Sequence, residues 1–240
     1  MRAPSKVEAL DLFDGLERRY DVVGAVLSFG QDPRWRRTMV ETVQASPTDR
    51  VLDVATGTGL VASELVRRYG CSVTGLDQSQ EMLSAFRDRL HADAGLGGQV
   101  ELVVGEAESL PFADGEFDHL TFAHLLRYLD EPERTIAELA RVVRPGGRIA
   151  GLDFGLPDPP IWRPLWRLYT RYGLPNLGRL ISRDWYEVGR FLESNIAGFY
   201  ERYPLPRLAQ AFLDGGLARV RIRKMSLGGG IVISGIRDGG

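Results

Sequence analysis

The stretch VLDVATGTGL, residues 51–60, combines a short apolar run, an acid and a glycine-rich turn. The apolar run indicates a buried strand, and the glycines indicate a turn that lets a ligand approach the backbone closely. Asp53 lies in the strand just ahead of this turn. A carboxylate there would repel a pyrophosphate by on the order of 1 to 4 kcal/mol near a surface. The stretch therefore favours a ligand that carries positive charge.

The composition is that of one large globular domain. The chain has 240 residues, and its formal net charge of -2 gives no argument for nucleic-acid binding. The single cysteine, Cys71, excludes an internal disulfide, and the 3 histidines lack metal-ligand spacing. No run approaches the ~20 apolar residues of a spanning helix, and the start has no secretory pattern. We therefore expect a soluble, cytoplasmic protein without a metal site.

Strand-like and helical patterns alternate along the chain. Residues 5–45 have a helical pattern, in which Pro33 opens a second helix. The predicted strands lie at 50–55, 72–77, 100–104, 117–122, 148–153, 218–225 and 229–236. Predicted helices lie between these strands, at 60–69, 79–93, 132–143 and 205–214. Such alternation predicts an α/β fold with a parallel, doubly wound sheet.

The composition changes between residues 155 and 204, where Pro, Trp, Tyr and Arg accumulate without a strand pattern. This change predicts an insertion between the fifth strand and the closing elements. The expected regions are an N-terminal helical cover (1–46), a ligand-binding core (47–154), a helical lid (155–204), and a closing helix with a β-hairpin (205–240).

The glycine turn by itself fits two classes of cofactor. Residues 57–62 match G-x-G-x-x-A, and Asp77 ends the next predicted strand, where it would accept from ribose hydroxyls. A nucleotide-linked oxidoreductase therefore stays open. Asp53 favours a cofactor of the second class, one with positive charge and no phosphate, because a carboxylate attracts an ammonium or a sulfonium and repels a phosphate. S-adenosylmethionine carries both of those cations, a ribose and no phosphate.

VLDVATGTG resembles the first motif of the class I S-adenosylmethionine-dependent methyltransferases, with Ala55 where that pattern usually has glycine. GEAESLPF (105–112) resembles their adenine-contacting segment, and ELARVVRPGGRIAGLDF (138–154) resembles their helix, turn and fifth strand. The resemblance implies a Rossmann-like, seven-stranded, mostly parallel sheet with helices on both faces. Together with the charge argument, it assigns cofactor binding to Asp53, Ala55, Gly57, Thr58, Gly59, Asp77, Glu106 and Ala107.

Stretches outside the cofactor motif narrow the resemblance. They are YDVVGAVLSFGQDPRWRR (20–37), LLRYLDEP (125–132), LDFGLPDPP (152–160), YGLPNLGRLIS (172–182), FLESNI (191–196) and GGGIV (228–232). In this order they resemble the ubiquinone/menaquinone biosynthesis C-methyltransferases, which implies C-methylation of a demethylated prenyl quinol of the demethylmenaquinol type. The chain departs from that pattern at Gly24, at Ala123 and in its tail. Another aromatic or small-molecule acceptor therefore stays open, as does a non-catalytic S-adenosylmethionine-binding subunit.

Methylation of a ring carbon beside a hydroxyl requires an ionised acceptor, because a phenol of pKa ~10 is mostly protonated at neutral pH. Candidate side chains lie where strands four and five end. Arg127, which fits the family's LR pair, is the candidate for holding the phenolate. His124 and Asp153 are the candidates for the base, and Tyr20 is a further one. His119 starts its strand and is expected to be structural.

The segment PPIWRPLWRLYTRY (159–172) combines aromatic side chains with a row of arginines. The residues expected near one helical face are Trp162, Leu165, Trp166, Tyr169 and Tyr172, and those on another are Arg163, Arg167 and Arg171. Basic amphipathic helices that carry Trp lie at membrane surfaces or cover a site of their own protein. We expect a lid first, with peripheral contact to the inner face of a membrane as a second role. The oligomeric state stays open.

Overall fold

The computed structural model describes residue 25 and residues 28–158, 160–180 and 182–239. Its strands are β1 (Arg50–Val54), β2 (Ser72–Asp77), β3 (Val100–Val104), β4 (Phe117–Ala123), β5 (Val143–Phe154), β6 (Leu217–Met225) and β7 (Gly230–Arg237). They form one seven-stranded sheet in the order β3-β2-β1-β4-β5-β7-β6. Strands β1 to β5 pair in parallel, and β7 is antiparallel to both of its neighbours. The predicted mostly parallel α/β sheet is confirmed.

The helices are α1 (Asp32–Val43), α2 (Leu60–Tyr69), α3 (Gln80–Ala92), α4 (Pro132–Arg141), α5 (Arg163–Leu168), α6 (Leu174–Arg179), α7 (Arg183–Arg202) and α8 (Leu205–Asp214). A π-helical turn, Tyr169–Gly173, joins α5 to α6. As predicted, Pro33 opens a helix, because its fixed φ and missing N–H suit the first turn of α1. Within the described part of the chain, no helix has the length and apolar character needed to cross a membrane.

The sheet lies between two apolar clusters, because successive residues of a strand point to opposite faces. On β1, Leu52 and Val54 belong to the cluster that includes residues of α4, α7 and α8. Val51 belongs to the cluster that includes residues of α1, α2 and α3. Strand order reverses between β1 and β4. Doubly wound sheets bind ligands at the carboxyl ends of the strands beside this point.

The turn between β1 and α2 depends on a glycine that no larger residue can replace without a clash. Gly59 has a φ of 81°, and a Cβ built there would lie 2.1 Å from the ring of Phe86. Ala55, in the same turn, has a φ of 54° although it carries a Cβ. Left-handed backbone costs such a residue on the order of 1 kcal/mol. The usual family glycine at the position of Ala55 therefore has a conformational reason.

The fifth strand starts earlier than the sequence pattern predicts. The predicted strand starts at residue 148, whereas β5 begins at Val143 and includes Pro145-Gly146-Gly147, a sequence that is typical of turns. The pairing with β4 passes from Phe117–Val143 directly to His119–Arg148. The Pro-Gly-Gly segment is therefore a bulge inside the strand, because residues on both sides of it pair with β4.

Between β5 and α8 the described residues are mostly helical and contain no strand. Trp166 packs against the cluster under α4, and Thr170 is buried, so one side of α5 and the π-helical turn faces the protein. The expected division of the chain at residues 46, 154 and 204 stays a prediction. Tyr20 and most of the expected N-terminal cover lie outside the described residues.

Candidate active site

A cleft of about 330 Å³ opens at the carboxyl ends of β1 and β2, beside the glycine turn. Three of the predicted cofactor residues, Ala55, Asp77 and Ala107, line it. Leu125 and Tyr128 close the side next to β4. The cleft therefore lies where a doubly wound sheet binds its ligand.

Asp77 connects two turns at the edge of the cleft. Its Oδ2 accepts from the backbone N–H of Gly57 at 2.8 Å, and its Oδ1 accepts from that of Ser79 at 3.0 Å. Burial raises the pKa of Asp77, although these backbone hydrogen bonds oppose the rise. An ionised carboxylate accepts about four hydrogen bonds, so both oxygens retain capacity for ligand hydroxyls. The site thus fits a ribose diol.

Asp53 lies behind the glycine turn and does not form part of the cleft wall. Its side chain is buried, and its two oxygens accept from the hydroxyls of Thr56 and Thr121, each at 2.6 Å. Burial raises the pKa of Asp53 to about 6, although the two hydroxyls lower it. The carboxylate of Asp53 is therefore linked to the turn through Thr56 and to β4 through Thr121. A direct contact with a sulfonium or an ammonium stays a prediction.

The loop after β3 is held by two residues of α4. Glu138 accepts from the backbone N–H of Leu110 at 2.8 Å. Arg141 donates to the carbonyls of Leu110 and Phe112 at 3.2 and 2.9 Å. These bonds fix the backbone of the segment that resembles the adenine contact. Glu138 and Arg141 can both reach the loop because residues three apart lie on the same face of a helix.

The residues of this loop that line the cleft are not all those that the sequence predicts. Ala107 is buried in the cleft wall, whereas Glu106 is exposed and pairs through its backbone with Ser109. Glu108 lines the cleft instead of Glu106. The predicted Thr58 is buried in the glycine turn and does not line the cleft.

A charged network occupies the carboxyl ends of β4 and β5. Asp153 Oδ1 accepts from Arg127 Nε at 2.5 Å and lies 3.6 Å from His124 Nδ1. Arg127 Nη1 donates to Oδ1 of Asn195, on α7, at 2.6 Å. His124 Nε2 lies 3.2 Å from Oδ1 of Asp32, on α1. The structure therefore brings three predicted catalytic residues together and adds one residue from each of two helices.

The network is shielded from water, and its charges determine one another's protonation. Burial by itself would lower the pKa of Arg127, but the charge and hydrogen bond of Asp153 and the neighbouring Tyr128 and Tyr200 together outweigh burial, and the pKa is raised. Burial by itself would raise the pKa of Asp153, but Arg127 and His124 together outweigh burial, and the pKa is lowered. For His124, burial by itself would lower the pKa, but the two flanking carboxylates, Asp153 and Asp32, together outweigh burial, and the pKa is raised. Buried opposite charges interact strongly because little water screens them.

His124 adopts a left-handed backbone conformation, with a φ of 58°, which is uncommon for residues other than glycine. Its backbone N–H donates to the carbonyl of Leu152 at 2.7 Å. Its ring stacks on Phe154 with the centroids 4.6 Å apart. These contacts hold the ring between two carboxylates at a cost of about 1 to 3 kcal/mol of backbone strain, which is typical of functional sites.

Tyr128 connects the network to the cleft. Its hydroxyl is hydrogen-bonded to Arg127, whose guanidinium carbon lies 5.0 Å from the centre of its ring. The same residue lines the cleft. Burial raises the pKa of the Tyr128 hydroxyl, against the charge of Arg127. Tyr128 thus borders both the cleft and the charged network.

Sequence reasoning did not assign Asp32 and Asn195 to the site. Asp32 starts a helix, where an acid is common because it complements the helix dipole. Asn195 lies in the FLESNI stretch, which carried the resemblance but gave no signal of a role. His119, expected to be structural, accepts the backbone N–H of Arg148 at 3.0 Å through Nδ1. Tyr20 lies outside the described residues.

The family of the chain follows from a match along nearly its whole length. The model of the ubiE/COQ5 methyltransferase family matches residues 3–237. The chain belongs to the ubiE/COQ5 methyltransferase family. It is therefore an S-adenosylmethionine-dependent methyltransferase, and S-adenosylmethionine is its cosubstrate. This membership removes the nucleotide-linked oxidoreductase and the non-catalytic subunit that the sequence left open.

Curated members of the ubiE/COQ5 family are similar to this chain over most of their length. The ubiquinone/menaquinone biosynthesis C-methyltransferase of Desulfotalea psychrophila is 38% identical over 218 residues, which cover 90% of this chain and 85% of that protein. The demethylmenaquinone methyltransferase of Thermus thermophilus is 35% identical over 218 residues, which cover 90% of this chain and 96% of that protein.

Solved structures share the fold of this ubiE/COQ5 family member at low identity. A geranyl diphosphate methyltransferase in complex with S-adenosylmethionine has a TM-score of 0.60 and 17% identity, with 94% of this chain and 93% of that chain covered. At this identity the likeness shows the class I methyltransferase fold alone. The expected Rossmann-like architecture is confirmed.

Proposed function

We propose that this methyltransferase C-methylates a reduced, prenylated demethylquinol of the demethylmenaquinol type. The observation that carries the proposal is the buried row of alternating charge formed by Arg127, Asp153 and His124 beside the cleft. An acceptor hydroxyl needs such a setting in order to ionise. The names of the curated relatives, which refer to ubiquinone and menaquinone biosynthesis, agree with a quinol acceptor.

S-adenosylmethionine supplies an electrophilic methyl group on a sulfonium. The chain has to orient its two substrates, exclude water and accept a proton from the acceptor hydroxyl. His124 and Asp153 are the groups of the network with proton-accepting atoms, and Arg127 offsets the negative charge that develops on the acceptor oxygen. A quinol offers a hydroxyl to this network, whereas the oxidised quinone offers none.

For the cosubstrate we assign the ribose to Asp77, the adenine to the backbone around Ala107, and the amino-acid end to the glycine turn at 55–59. The remaining acceptor capacity of Asp77 supports the first assignment. The position of Ala107 in the cleft wall supports the second. Asp53 contributes its negative charge from behind the turn.

Replacing Asp77 with Ala is expected to weaken S-adenosylhomocysteine binding by about 1 to 3 kcal/mol, through lost hydrogen bonds to the ribose. Isothermal titration calorimetry measures the change. Asp93→Ala is the matched control, because Asp93 also accepts a backbone N–H, from Gly95 at 3.1 Å, but does not line the cleft. Unchanged affinity in Asp77→Ala, or tight binding of NAD by the wild type, would contradict the cofactor assignment.

We also assign a membrane contact to the outer face of the lid. Helix α5 has no buried residue. Its surroundings expose large apolar side chains to between 44% and 77%, namely Ile161, Trp162, Leu165, Leu168 and Tyr172. Trp166 points instead toward the core, so it does not share this face as the sequence pattern predicted.

The charge of the same segment selects an anionic bilayer as the partner. Arg163, Arg167 and Arg171 are exposed beside the apolar face. Apolar side chains enter the acyl boundary of a bilayer, while arginines pair with phosphates at about 1 kcal/mol per charge. A prenyl tail resides in the same bilayer, so contact of the lid with the membrane brings the head group close to the cleft.

The proposed acceptor is tested with labelled S-adenosylmethionine and four substrates, namely the quinol and the quinone, each with and without its prenyl tail. We expect transfer to the tailed quinol, weaker transfer to the tailless quinol, and none to either quinone. The tail adds apolar surface worth ~25 cal/mol per Å² when it is buried. Equal turnover on tailless phenols, or none on any prenyl quinol, would assign the enzyme to another small-molecule acceptor.

A second arm of the same assay tests the membrane contact. The triple variant Arg163→Gln, Arg167→Gln and Arg171→Gln should lose sedimentation with anionic liposomes and turnover on quinol embedded in them. Its turnover on detergent-solubilised quinol should match the wild type. A matched control replaces Arg219, Arg221 and Arg223 of β6 with Gln and should change neither. Unaltered liposome binding of the first variant would refute the assigned surface.

A further inference from the structure

The ring of His124 lies between two carboxylates at unequal distances. Nε2 is 3.2 Å from Asp32 Oδ1, within hydrogen-bonding range. Nδ1 is 3.6 Å from Asp153 Oδ1 and has no hydrogen-bond partner among the described residues. Asp153 Oδ1 already accepts from Arg127 Nε and from the N–H of Phe154. The nearer and less engaged partner of the ring is therefore Asp32.

This geometry selects one tautomer of the neutral ring. A proton on Nε2 makes a hydrogen bond to Asp32 and leaves a lone pair on Nδ1. A proton on Nδ1 would instead place the Nε2 lone pair against the Asp32 carboxylate at 3.2 Å, which is repulsive. In a neutral histidine, the hydrogen bonds that the two ring nitrogens make determine which of them carries the proton.

Two buried polar atoms near each other lack partners in the described part of the chain, namely Nδ1 of His124 and Oδ2 of Asp153. Buried side-chain atoms without a partner are uncommon in native proteins, and they call for a functional explanation. Both lie at the carboxyl ends of β4 and β5, where this fold binds its ligands. An acceptor hydroxyl would satisfy them.

We infer that Asp32 is a positioning residue, which holds His124 so that Nδ1 takes the proton of the acceptor hydroxyl. In this step the O–H bond of the acceptor breaks and an N–H bond forms at Nδ1. The electron pair stays on the acceptor oxygen as a phenolate. The inference rests on the proposed function for the identity of the acceptor and on the observed geometry for the rest.

His124 is a better base than Asp153 for this step. Arg127 and His124 together outweigh the effect of burial and lower the pKa of Asp153, which makes its carboxylate a weak base. The pKa of His124 is raised because the two flanking carboxylates, Asp153 and Asp32, together outweigh the effect of burial. Proton transfer from a phenol is more favourable to the base of higher pKa. Protonated His124 is then stabilised by a carboxylate on each side.

Two carboxylates raise the pKa of the ring, and each of them is paired with an arginine. Asp32 and Arg36 come from α1 and form an ion pair with each other. Asp153 comes from β5, and Arg127 from the turn after β4. Asp32→Asn removes one negative charge beside His124 and keeps an oxygen that accepts from Nε2. The variant therefore changes the electrostatics of the ring with little change in packing.

The test is nuclear magnetic resonance of the imidazole nitrogens, which is feasible because the chain has only 3 histidines. In the wild type, neutral His124 should carry its proton on Nε2. Asp32→Asn should lower the pKa of His124 by about 1 to 3 pH units, because an opposite charge within hydrogen-bonding distance has an effect of that size. The acid limb of the pH–rate profile for quinol methylation should move to lower pH by the same amount. Affinity for S-adenosylhomocysteine should not change.

Asp49→Asn is the matched control. Asp49 lies 3.2 Å from Nε2 of His119, so this variant should alter the titration of His119 and leave that of His124 unchanged. A proton on Nδ1 of neutral wild-type His124, or an unshifted pKa of His124 in Asp32→Asn, would overturn the inference. The tautomer and the pKa of His124 are measured without any acceptor. They therefore test the inference even if no quinol is methylated and the proposed function fails.

Discussion

Replacing Arg127 with Met is expected to lower the free energy of unfolding by about 3 to 5 kcal/mol. The two side chains of the Arg127–Asp153 pair are 1% and 7% exposed, so the variant leaves a carboxylate buried beside a single histidine. The Oδ1 of Asn195 also loses its donor. Urea unfolding followed by circular dichroism measures the change. This stability loss adds to the loss of turnover that a phenolate-stabilising role predicts.

Two companion variants separate the buried charge from other effects. Arg67→Met breaks the ion pair with Asp93, whose side chains are 55% and 39% exposed, and should cost less than about 1 kcal/mol. Adding Asp153→Asn to Arg127→Met should recover part of the lost stability, because no unpaired charge then remains buried. If Arg127→Met costs no more than Arg67→Met, the network does not carry the charge interactions described above.

Replacing His124 with Asn is expected to lower turnover on the quinol by about 10² to 10⁴, the usual contribution of general acid–base catalysis. Asn is chosen because it tolerates left-handed backbone, so the φ of 58° at this position is retained. Single-turnover methyl transfer under saturating cosubstrate measures the effect. Affinity for S-adenosylhomocysteine should stay close to that of the wild type, because His124 does not line the cleft.

His119→Asn provides the comparison for a buried histidine outside the network. His119 also lies beside an aspartate, and it accepts the backbone N–H of Arg148 through Nδ1. Its replacement should reduce stability by about 1 to 3 kcal/mol, because that buried N–H is left without its partner, and leave single-turnover rates near those of the wild type. Equal turnover in both histidine variants would remove His124 from the reaction.

The elements that position the site were predictable from local patterns. Helices and strands around the cleft begin and end close to their predicted limits, because apolar periodicity and turn residues act over short stretches of chain. The exception was the start of β5, where a Pro-Gly-Gly sequence reads as a turn. In the fold that sequence is a bulge, since the pairing with β4 resumes on both sides of it. Tertiary pairing overrode the local signal there.

In the lid, too, the local pattern did not predict which side chains are buried. Its helical spacing placed Trp162 and Trp166 on one face. In the structure Trp166 packs toward the core, whereas Trp162 is exposed. A π-helical turn at 169–173 also changes the angular spacing of the residues that follow α5. Periodicity predicts a face, but the surface against which the helix packs decides which residues are buried.

The sequence alone determined the fold class, the cosubstrate and the edge of the sheet at which the cleft lies. A glycine turn after a strand, and an acid at the end of the next strand, are local features whose geometry follows from backbone sterics and parallel pairing. The charged network was decided only by the tertiary structure. Its contacts join Asp32 to His124 across 92 residues and Arg127 to Asn195 across 68. They form because β4 and β5 end at the same edge of the sheet and two helices pack over it, and no local pattern in the sequence encodes which distant polar groups then meet.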